Sequence, residues 1–483
     1  MLDAMKGAGR PTDEGRHSPK GNPVDYMDFL KAKEIVAPAA GLTVVPPLNP
    51  RMFPHQRDTA DFLLRRGSGA AFLDTGLGKT VVELEWSRAV RDETRKPVVI
   101  HTPLAVAGQM VREAEKFNID AHQIRDRSQV SLERINICNY ERLDQLDPSV
   151  FGGVALDESS ILKSFNGKTK QRLCEAYRDT PFRQAGTATP APNDYMELGN
   201  HSEFLGVMPQ NEMLTRWFIN DTMSASHDWR LKKHAVAAFW QWVGSWAMCA
   251  SKPGDLGYND AGYDLTPYRI IRHGIRADVL QETEGQLFRT PKMSATSLHR
   301  EKRLVAADRA RKVAEIANAT DEAVLIWVDT DYEADAIRPL IRDAIEVRGS
   351  EPLEAKERKL AAFSDGQVRV LITKPSIAGF GLNWQHCRQM IFAGLSFSYE
   401  LYYQAIRRCW RFGQMREVLV HVVLADTEAP IWQTIVRKIA DHDAMKAAMF
   451  RAANDNRAVD RLAKVPFQPT MRAQLPDWLK RAS

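Results

Sequence analysis

The chain has 483 residues, 44% hydrophobic and 26% charged, a balance that is typical of a globular protein and argues against a disordered one. This length exceeds what one ordinary core supports, so we expect two or three domains. The net charge of +5 permits a polyanionic partner without requiring one, since the field of one face matters more than the sum.

Cysteine spacing and hydropathy exclude further classes. The five cysteines are scattered without a CxxC pair, which argues against a zinc site and fits a reduced cytoplasm. The first twenty residues are polar and show no signal peptide. The most apolar stretch, 235–250, is too short and too polar to span a bilayer and predicts a buried amphipathic helix. We therefore expect a cytoplasmic protein without membrane contact.

The amino-terminal part divides into a tail and an α/β domain. Residues 1–24 are rich in Gly, Pro and charged residues, which predicts a disordered tail. From 25 to 195, β-like runs alternate with helical ones, which predicts a parallel sheet wrapped by helices. The runs that predict strands include Val98–Ile100, Ile135–Ile137, Val154–Leu156 and the segment 182–186.

The segment from Phe72 to Thr80, Phe-Leu-Asp-Thr-Gly-Leu-Gly-Lys-Thr, predicts a phosphate-binding loop. It joins a short apolar strand to a helix, and its glycines let backbone N–H groups approach phosphates. Lys79 would reach the β- and γ-phosphates, and the Thr80 hydroxyl would bind Mg²⁺. Leu73 stands where the general pattern has its first glycine. The nucleotide-binding candidates in this loop are Thr75, Gly76, Gly78, Lys79 and Thr80.

Two acids follow the predicted strand that ends at Leu156. Asp157 would hold Mg²⁺, and Glu158 would polarise the attacking water. An acidic pair at a strand end is common and can be an ordinary helix cap. The phosphate loop upstream makes the catalytic interpretation the stronger one.

Residues 196–300 interrupt the alternation and predict a mostly helical insertion followed by an irregular connector. Tryptophans are concentrated there, at Trp217, Trp229, Trp240, Trp242 and Trp246. They could form an exposed wedge or a partner surface. Their helical spacing favours a small packed core.

A second α/β domain is predicted from 301 to 450, followed by a polar, basic tail at 451–483. Its last motif places Arg408 and Arg411 one helical turn apart, on one face. A guanidinium stabilises the charge that develops in phosphoryl transfer, so both are catalytic candidates. A solvated basic helix is the alternative, but it leaves the glycine-rich turn just upstream, 378–383, unexplained.

In this order the motifs resemble those of a superfamily-two helicase or translocase, most closely the Swi/Snf-type branch found in bacteria and phages. The resemblance covers residues 26–445. It implies two RecA-like, doubly wound parallel-sheet lobes joined by a mostly helical insertion, with ATP and Mg²⁺ between the lobes. It also implies that Gln56 reads the adenine. The residues it assigns to nucleic-acid contact or coupling are Thr102, Thr187, Thr189, Gly381, Asn383 and Gln404.

Three positions depart from the family pattern. Ser160 stands where the acidic motif, 157–160, usually ends in His. Ala188 stands where Gly is usual in the third motif of the family, 187–190. Trp384 replaces a smaller apolar residue, and we expect it in the core rather than stacked on a base. None of these changes removes a residue that hydrolysis needs.

The sequence thus predicts an ATP hydrolase that moves on double-stranded DNA. DNA would cross both lobes on the face away from ATP, with Lys374 as a weaker contact candidate. An RNA helicase is a second hypothesis. A third is a nucleotide-gated DNA scaffold that recruits a nuclease or a methyltransferase.

Overall fold

The computed structural model describes residues 37–103, 106–164, 167–220, 229–276, 302–378 and 383–464. The predicted tail at 1–24 and the coupling candidate Gly381 lie outside these residues. Within the described part of the chain, no helix has the length and apolar character needed to cross a membrane.

The first large sheet carries the phosphate loop. The strands of this half are β1 (Ser68–Leu73), β2 (Val98–Thr102), β3 (Ala121–Gln123), β4 (Ile135–Asn139), β5 (Gly153–Asp157), β6 (Phe182–Gly186), β7 (Phe218–Asn220), β8 (Trp229–Leu231) and β9 (Ala247–Ala250). Seven of them pair in the order β3-β4-β2-β5-β6-β1-β9, and every pairing is parallel. Strands β7 and β8 form a separate antiparallel hairpin.

The second large sheet is also parallel throughout. Its strands are β10 (Tyr268–Ile275), β11 (Val324–Trp327), β12 (Ala344–Val347), β13 (Val370–Thr373), β14 (Gln389–Phe392) and β15 (Val418–Ala425), in the order β10-β15-β14-β11-β13-β12. The predicted class, two parallel α/β sheets, is confirmed. Continuous apolar runs such as β11 suit it, because helices cover both faces of a parallel sheet.

Helices flank both sheets. Those of the first half are α1 (Pro54–Arg66), α2 (Lys79–Thr94), α3 (Ala107–Lys116), α4 (Lys168–Ala176), α5 (Leu198–Leu205), α6 (Gln210–Trp217) and α7 (Val236–Trp246). Those of the second are α8 (Ala306–Asn318), α9 (Asp331–Ile337), α10 (Leu353–Ser364), α11 (Pro375–Ala378), α12 (Tyr399–Cys409) and α13 (Ala429–Lys464).

Four strands, β7 to β10, lie inside the range 196–300, where the sequence predicted a mostly helical insertion, and two of them join the large sheets. Strand β9 extends the first sheet beside β1, and β10 forms the edge of the second sheet beside β15. An apolar stretch as short as β9, directly after a helix, cannot be told from a helix end by periodicity. Its pairing partner lies about 180 residues away in the chain, so only tertiary structure reveals it.

Four of the five tryptophans of this region, all except the half-buried Trp229, are buried and form the packed core that their spacing predicted. Trp242 and Trp246 of α7 are fully buried, and the Trp242 ring lies 4.6 Å from that of Trp217. Trp240 is also buried. Trp384 is buried as well, with its indole N–H donating to Ser364 Oγ at 2.9 Å, so its predicted core role is confirmed.

The chain ends its described part in a single long helix. Helix α13 starts directly after the second sheet and packs along α7 and β9 of the first half. Residues 451–464, assigned to a tail from the sequence, continue this helix.

Candidate functional site

A cleft of about 290 Å³ lies where the carboxyl ends of β1 and β5 face helix α12 and the loop that follows it. Ligands of open α/β sheets bind at this kind of edge. The cleft gathers most of the residues that the sequence proposed as catalytic or nucleotide-binding. They are Gln56, Thr75, Gly76, Gly78, Lys79, Thr80, Asp157, Glu158, Asn383, Arg408 and Arg411.

The phosphate loop has the backbone that its glycines predict. Gly76 and Gly78 have φ of 101° and 83°, a region that side-chain-bearing residues rarely adopt. A Cβ on Gly78 would also lie 2.2 Å from Gln56 Nε2. Lys79 Nζ donates to Leu73 O at 3.2 Å, which leaves further N–H donors for a phosphate.

Gln56 joins α1 to this loop. Its Nε2 donates to Leu77 O at 3.2 Å, and its Oε1 accepts from Phe53 N at 3.0 Å. An amide has a second N–H and a second lone pair, so Gln56 retains capacity to bond a base. Its predicted adenine contact stays a prediction.

Asp157 ends β5 in a buried position. Its Oδ2 accepts from the Thr102 hydroxyl at 2.9 Å, and its carbonyl accepts from Tyr140 Oη at 2.7 Å. Burial, and then the neighbouring Glu158, raise the pKa of Asp157 to about 7. A bound cation reverses this preference. The hydroxyl of Thr80 and the Asp157 carboxylate are the hard oxygen donors that Mg²⁺ takes together with substrate phosphates.

Glu158 follows in an unusual backbone conformation. Its φ is 54°, in the left-handed region, where a residue with a side chain is held only by its surroundings. Thr187 Oγ1 lies 3.4 Å from Glu158 Oε2, and Thr187 is fully buried. The third motif therefore contacts the proposed catalytic base, Glu158, directly.

Thr102 does not occupy the position that the resemblance implied for a DNA contact. Its side chain is fully buried and engaged with Asp157, so a DNA phosphate has no access to it. The resemblance implied a DNA contact for this position, but a motif of consecutive residues does not specify which of its side chains stay exposed. Lys374 pairs with Asp331 at 3.0 Å, and Thr189 is fully buried.

Arg408 of α12 and Arg411, which lies two residues beyond the end of that helix, both line the cleft from the second lobe. The helix ends at Cys409, so the prediction that the two arginines lie one turn apart on one helix face is wrong. Arg408 donates to the carbonyl and the side-chain oxygen of Gln404 at 3.0 and 3.1 Å. Gln404 is buried, so it positions the Arg408 guanidinium. Arg411 donates to Asn383 Oδ1. Burial lowers the pKa of Arg408 to about 10 and, with Arg408 beside it, that of Arg411 to about 9. Both remain cations at neutral pH.

Two further charged residues were not identified from the sequence. Glu83 of α2 is fully buried, and neither carboxylate oxygen has a hydrogen-bond partner among the described residues. Burial and then the neighbouring Asp157 raise the pKa of Glu83 well above its usual value. An acid among the apolar residues Val81, Val82 and Leu84 was the available signal. Arg407 donates to Thr75 O at 2.8 Å across the cleft.

One end of the cleft is aromatic. Phe53 and Phe412 are 56% and 45% exposed, a large apolar exposure for two residues that line a cavity. Tyr263 lies between them, with ring centroids 6.2 Å from Phe53 and 5.1 Å from Phe412. The three rings line the same cleft as Gln56, and they come from the residue just before α1, the connector and the second lobe.

Comparison with known proteins agrees with part of this geometry. Residues 308–413 match the family model described as the helicase conserved C-terminal domain. No curated protein matches the chain. Among solved structures, it is similar to the Sulfolobus solfataricus SWI2/SNF2 ATPase core in complex with dsDNA. The two share 17% identity over 85% of this chain and 96% of that one, with a TM-score of 0.40.

Proposed function

We propose that the protein is an ATP-dependent DNA translocase that hydrolyses ATP in this cleft. One observation carries the proposal: a single cleft combines the phosphate loop and acidic pair of one lobe with two arginines of the other, Arg408 and Arg411. The helicase C-terminal domain matched at 308–413 supports the same activity. We place the protein in the Swi/Snf-type branch of bacteria and phages on the motifs described above.

Each residue has a distinct part in hydrolysis. Lys79 and the loop N–H groups bind the β- and γ-phosphates. Thr80 and Asp157 would hold Mg²⁺, which neutralises phosphate charge when bound. Glu158 orients and deprotonates the attacking water, and Arg408 and Arg411 stabilise the charge that develops on the transferred group.

Movement follows from the arrangement of the cleft between two lobes. ATP contacts both lobes, so binding favours closure, and loss of phosphate permits opening. Because Thr187 contacts Glu158, a change in the third motif on DNA binding would alter the position of this catalytic base. Duplex DNA crosses both lobes on the opposite face, and a nuclease or methyltransferase partner remains compatible with such a motor.

The test is the steady-state ATPase rate without nucleic acid and with duplex DNA, single-stranded DNA or RNA. Glu158→Gln serves as the blank because it keeps the shape and removes the base. We expect strong stimulation by duplex DNA and no turnover in Lys79→Ala, which should still bind DNA. Stimulation only by RNA would indicate an RNA helicase. No stimulation would indicate a scaffold, and normal turnover in Lys79→Ala would contradict the nucleotide site.

A further inference from the structure

Helix α13 connects the second lobe to the first. Near its start, Ile431 and Ile435 belong to the hydrophobic core of the second lobe. Farther along, the helix packs against α7 and β9 of the first lobe and buries Met445 and Met449. At about 1.5 Å per residue, roughly 22 Å of helix separates Ile431 from Lys446. The helix therefore reaches from one lobe to the other.

One face of α13 contacts three elements in succession, the last of which is the phosphate loop that lines the cleft. Lys438 Nζ donates to Asn193 Oδ1 at 2.8 Å, just after the third motif. The ring of His442 lies 5.7 Å from that of Tyr403 on the arginine helix α12. Lys446 reaches the first residue of the phosphate loop. Residues 438, 442 and 446 are spaced by four, so they share one helix face.

Asp74 is the residue that Lys446 reaches. It follows β1 directly, and only 7% of it is exposed. Its Oδ1 accepts from Tyr403 Oη at 2.6 Å and from Lys446 Nζ at 2.5 Å. Burial acts to raise the pKa of Asp74, but Lys446 and Arg407 outweigh it and hold the pKa well below its usual range. A buried carboxylate in this state depends on its partners.

We propose that Lys446 and Tyr403 are positioning residues that hold the phosphate loop in register with the arginine helix. Asp74 is bonded to Thr75, whose carbonyl accepts from Arg407, so a shift of Asp74 moves the loop relative to α12. Catalysis is sensitive to displacements of about 1 Å. Helix α13 then contributes to ATP hydrolysis by positioning the phosphate loop. This inference rests on the proposed function, because it assigns a role in ATP hydrolysis.

The test compares Lys446→Met, Asp74→Asn, the double variant and Lys446→Arg in the DNA-stimulated ATPase assay. We expect Lys446→Met to lower kcat roughly 10- to 100-fold with a much smaller change in KM. Lys446→Arg should restore most of the rate, and the double variant should be no slower than Lys446→Met. Exposed Arg437 lies on the same helix, so Arg437→Met is the matched control and should keep the wild-type rate. Additive losses, or an unchanged kcat in Lys446→Met, would overturn the proposal.

A nucleotide-free measurement separates this proposal from the proposed function. Thermal unfolding of the same variants should show non-additive shifts in Tm for Asp74→Asn and Lys446→Met, because the two residues form one contact. An inactive wild type with this coupling would contradict the ATPase and leave the contact established. Additive Tm shifts would overturn the positioning role, whatever the wild-type rate.

Discussion

The hydroxyl of Thr102 donates to the carboxylate of Asp157 over 2.9 Å, with both residues buried at neighbouring strand ends. A residue that sequence resemblance placed against DNA therefore orients the proposed Mg²⁺ ligand. Loss of a side chain that orients a metal ligand typically weakens metal binding or activity by about 10- to 100-fold.

Thr102→Val should remove this bond while keeping the shape of the side chain. We expect a Mg²⁺ requirement raised by about 10-fold or more and a lower kcat, because Asp157 loses its orienting donor. Thr102→Ser keeps the hydroxyl and should stay close to wild type. The measurement is ATPase rate against Mg²⁺ concentration, together with duplex-DNA affinity. Weakened DNA binding at an unchanged Mg²⁺ requirement would restore the DNA-contact interpretation.

Arg411→Ala should lower kcat by about 10³-fold with a much smaller change in ATP affinity, as expected for a cation that stabilises developing charge. Arg416 lies nearby but pairs with Glu322 at the surface, 2.9 Å away. Arg416→Ala is therefore the matched control and should keep its activity, since such exposed pairs contribute little. Steady-state kinetics give the change in kcat. ATP binding to Glu158→Gln, with and without Arg411→Ala, gives the change in affinity in the absence of turnover. An unchanged kcat would remove Arg411 from the catalytic role.

Tyr263→Ala should raise the KM for ATP by about 10-fold and leave kcat nearly unchanged. Stacking of a base on an aromatic ring contributes about 1–3 kcal/mol, and the ring lies beside Gln56 and Phe412. Tyr263→Phe keeps the ring and should retain the wild-type KM. Kinetics with ATP, GTP, CTP and UTP check the assignment. An unchanged KM for ATP in Tyr263→Ala would show that no base stacks on this ring.

His201 should make the protein less stable in acid. Burial lowers its pKa to about 4 from 6.5, although the carbonyl of Pro190, 2.9 Å from Nε2, acts to raise it. Between these pH values the unfolded chain binds a proton that the folded protein excludes. The stability that the neutral His201 ring contributes to the folded protein is therefore fully present above about pH 6.5 and is lost as the pH falls towards 4.

Replacing His201 with Gln keeps a donor for Pro190 and removes this titration. Urea unfolding gives the free energy of unfolding at pH 7 and at pH 4.5. Between these two pH values it should fall less in His201→Gln than in wild type, by up to about 1.4 kcal/mol per pH unit. His234 is exposed, so His234→Gln provides the control and should leave the pH dependence as it is. An identical pH slope in His201→Gln would contradict the assignment.

Arg309 should be essential to the stability of the second lobe. It donates to Glu333 at 2.6 Å and to Glu428 at 2.5 Å, and all three side chains are buried. Arg309→Met would leave two unpaired buried acids, and we expect a loss of about 3–5 kcal/mol in the free energy of unfolding. Urea unfolding measures it. A loss below about 1 kcal/mol would mean that the acids find other partners.

Much of the site was predictable because its signals are local. The phosphate loop and the acidic pair each occupy a few consecutive residues after an apolar strand, so spacing alone identified Lys79, Thr80, Asp157 and Glu158. Glu83 was missed although it lies only four residues beyond Lys79. Its importance depends on burial beside Asp157, and periodicity does not show which buried neighbours an acid has.

By itself, the sequence determined the fold class and the local motifs, because strand and helix periodicity and glycine-rich turns are properties of short segments. Tertiary structure decided that β9 joins the first sheet, that Thr102 turns inward to Asp157, and that Lys446 meets Asp74. The last pair is 372 residues apart in the chain. Such contacts depend on how two lobes and a connecting helix pack, and no short-range pattern encodes that packing.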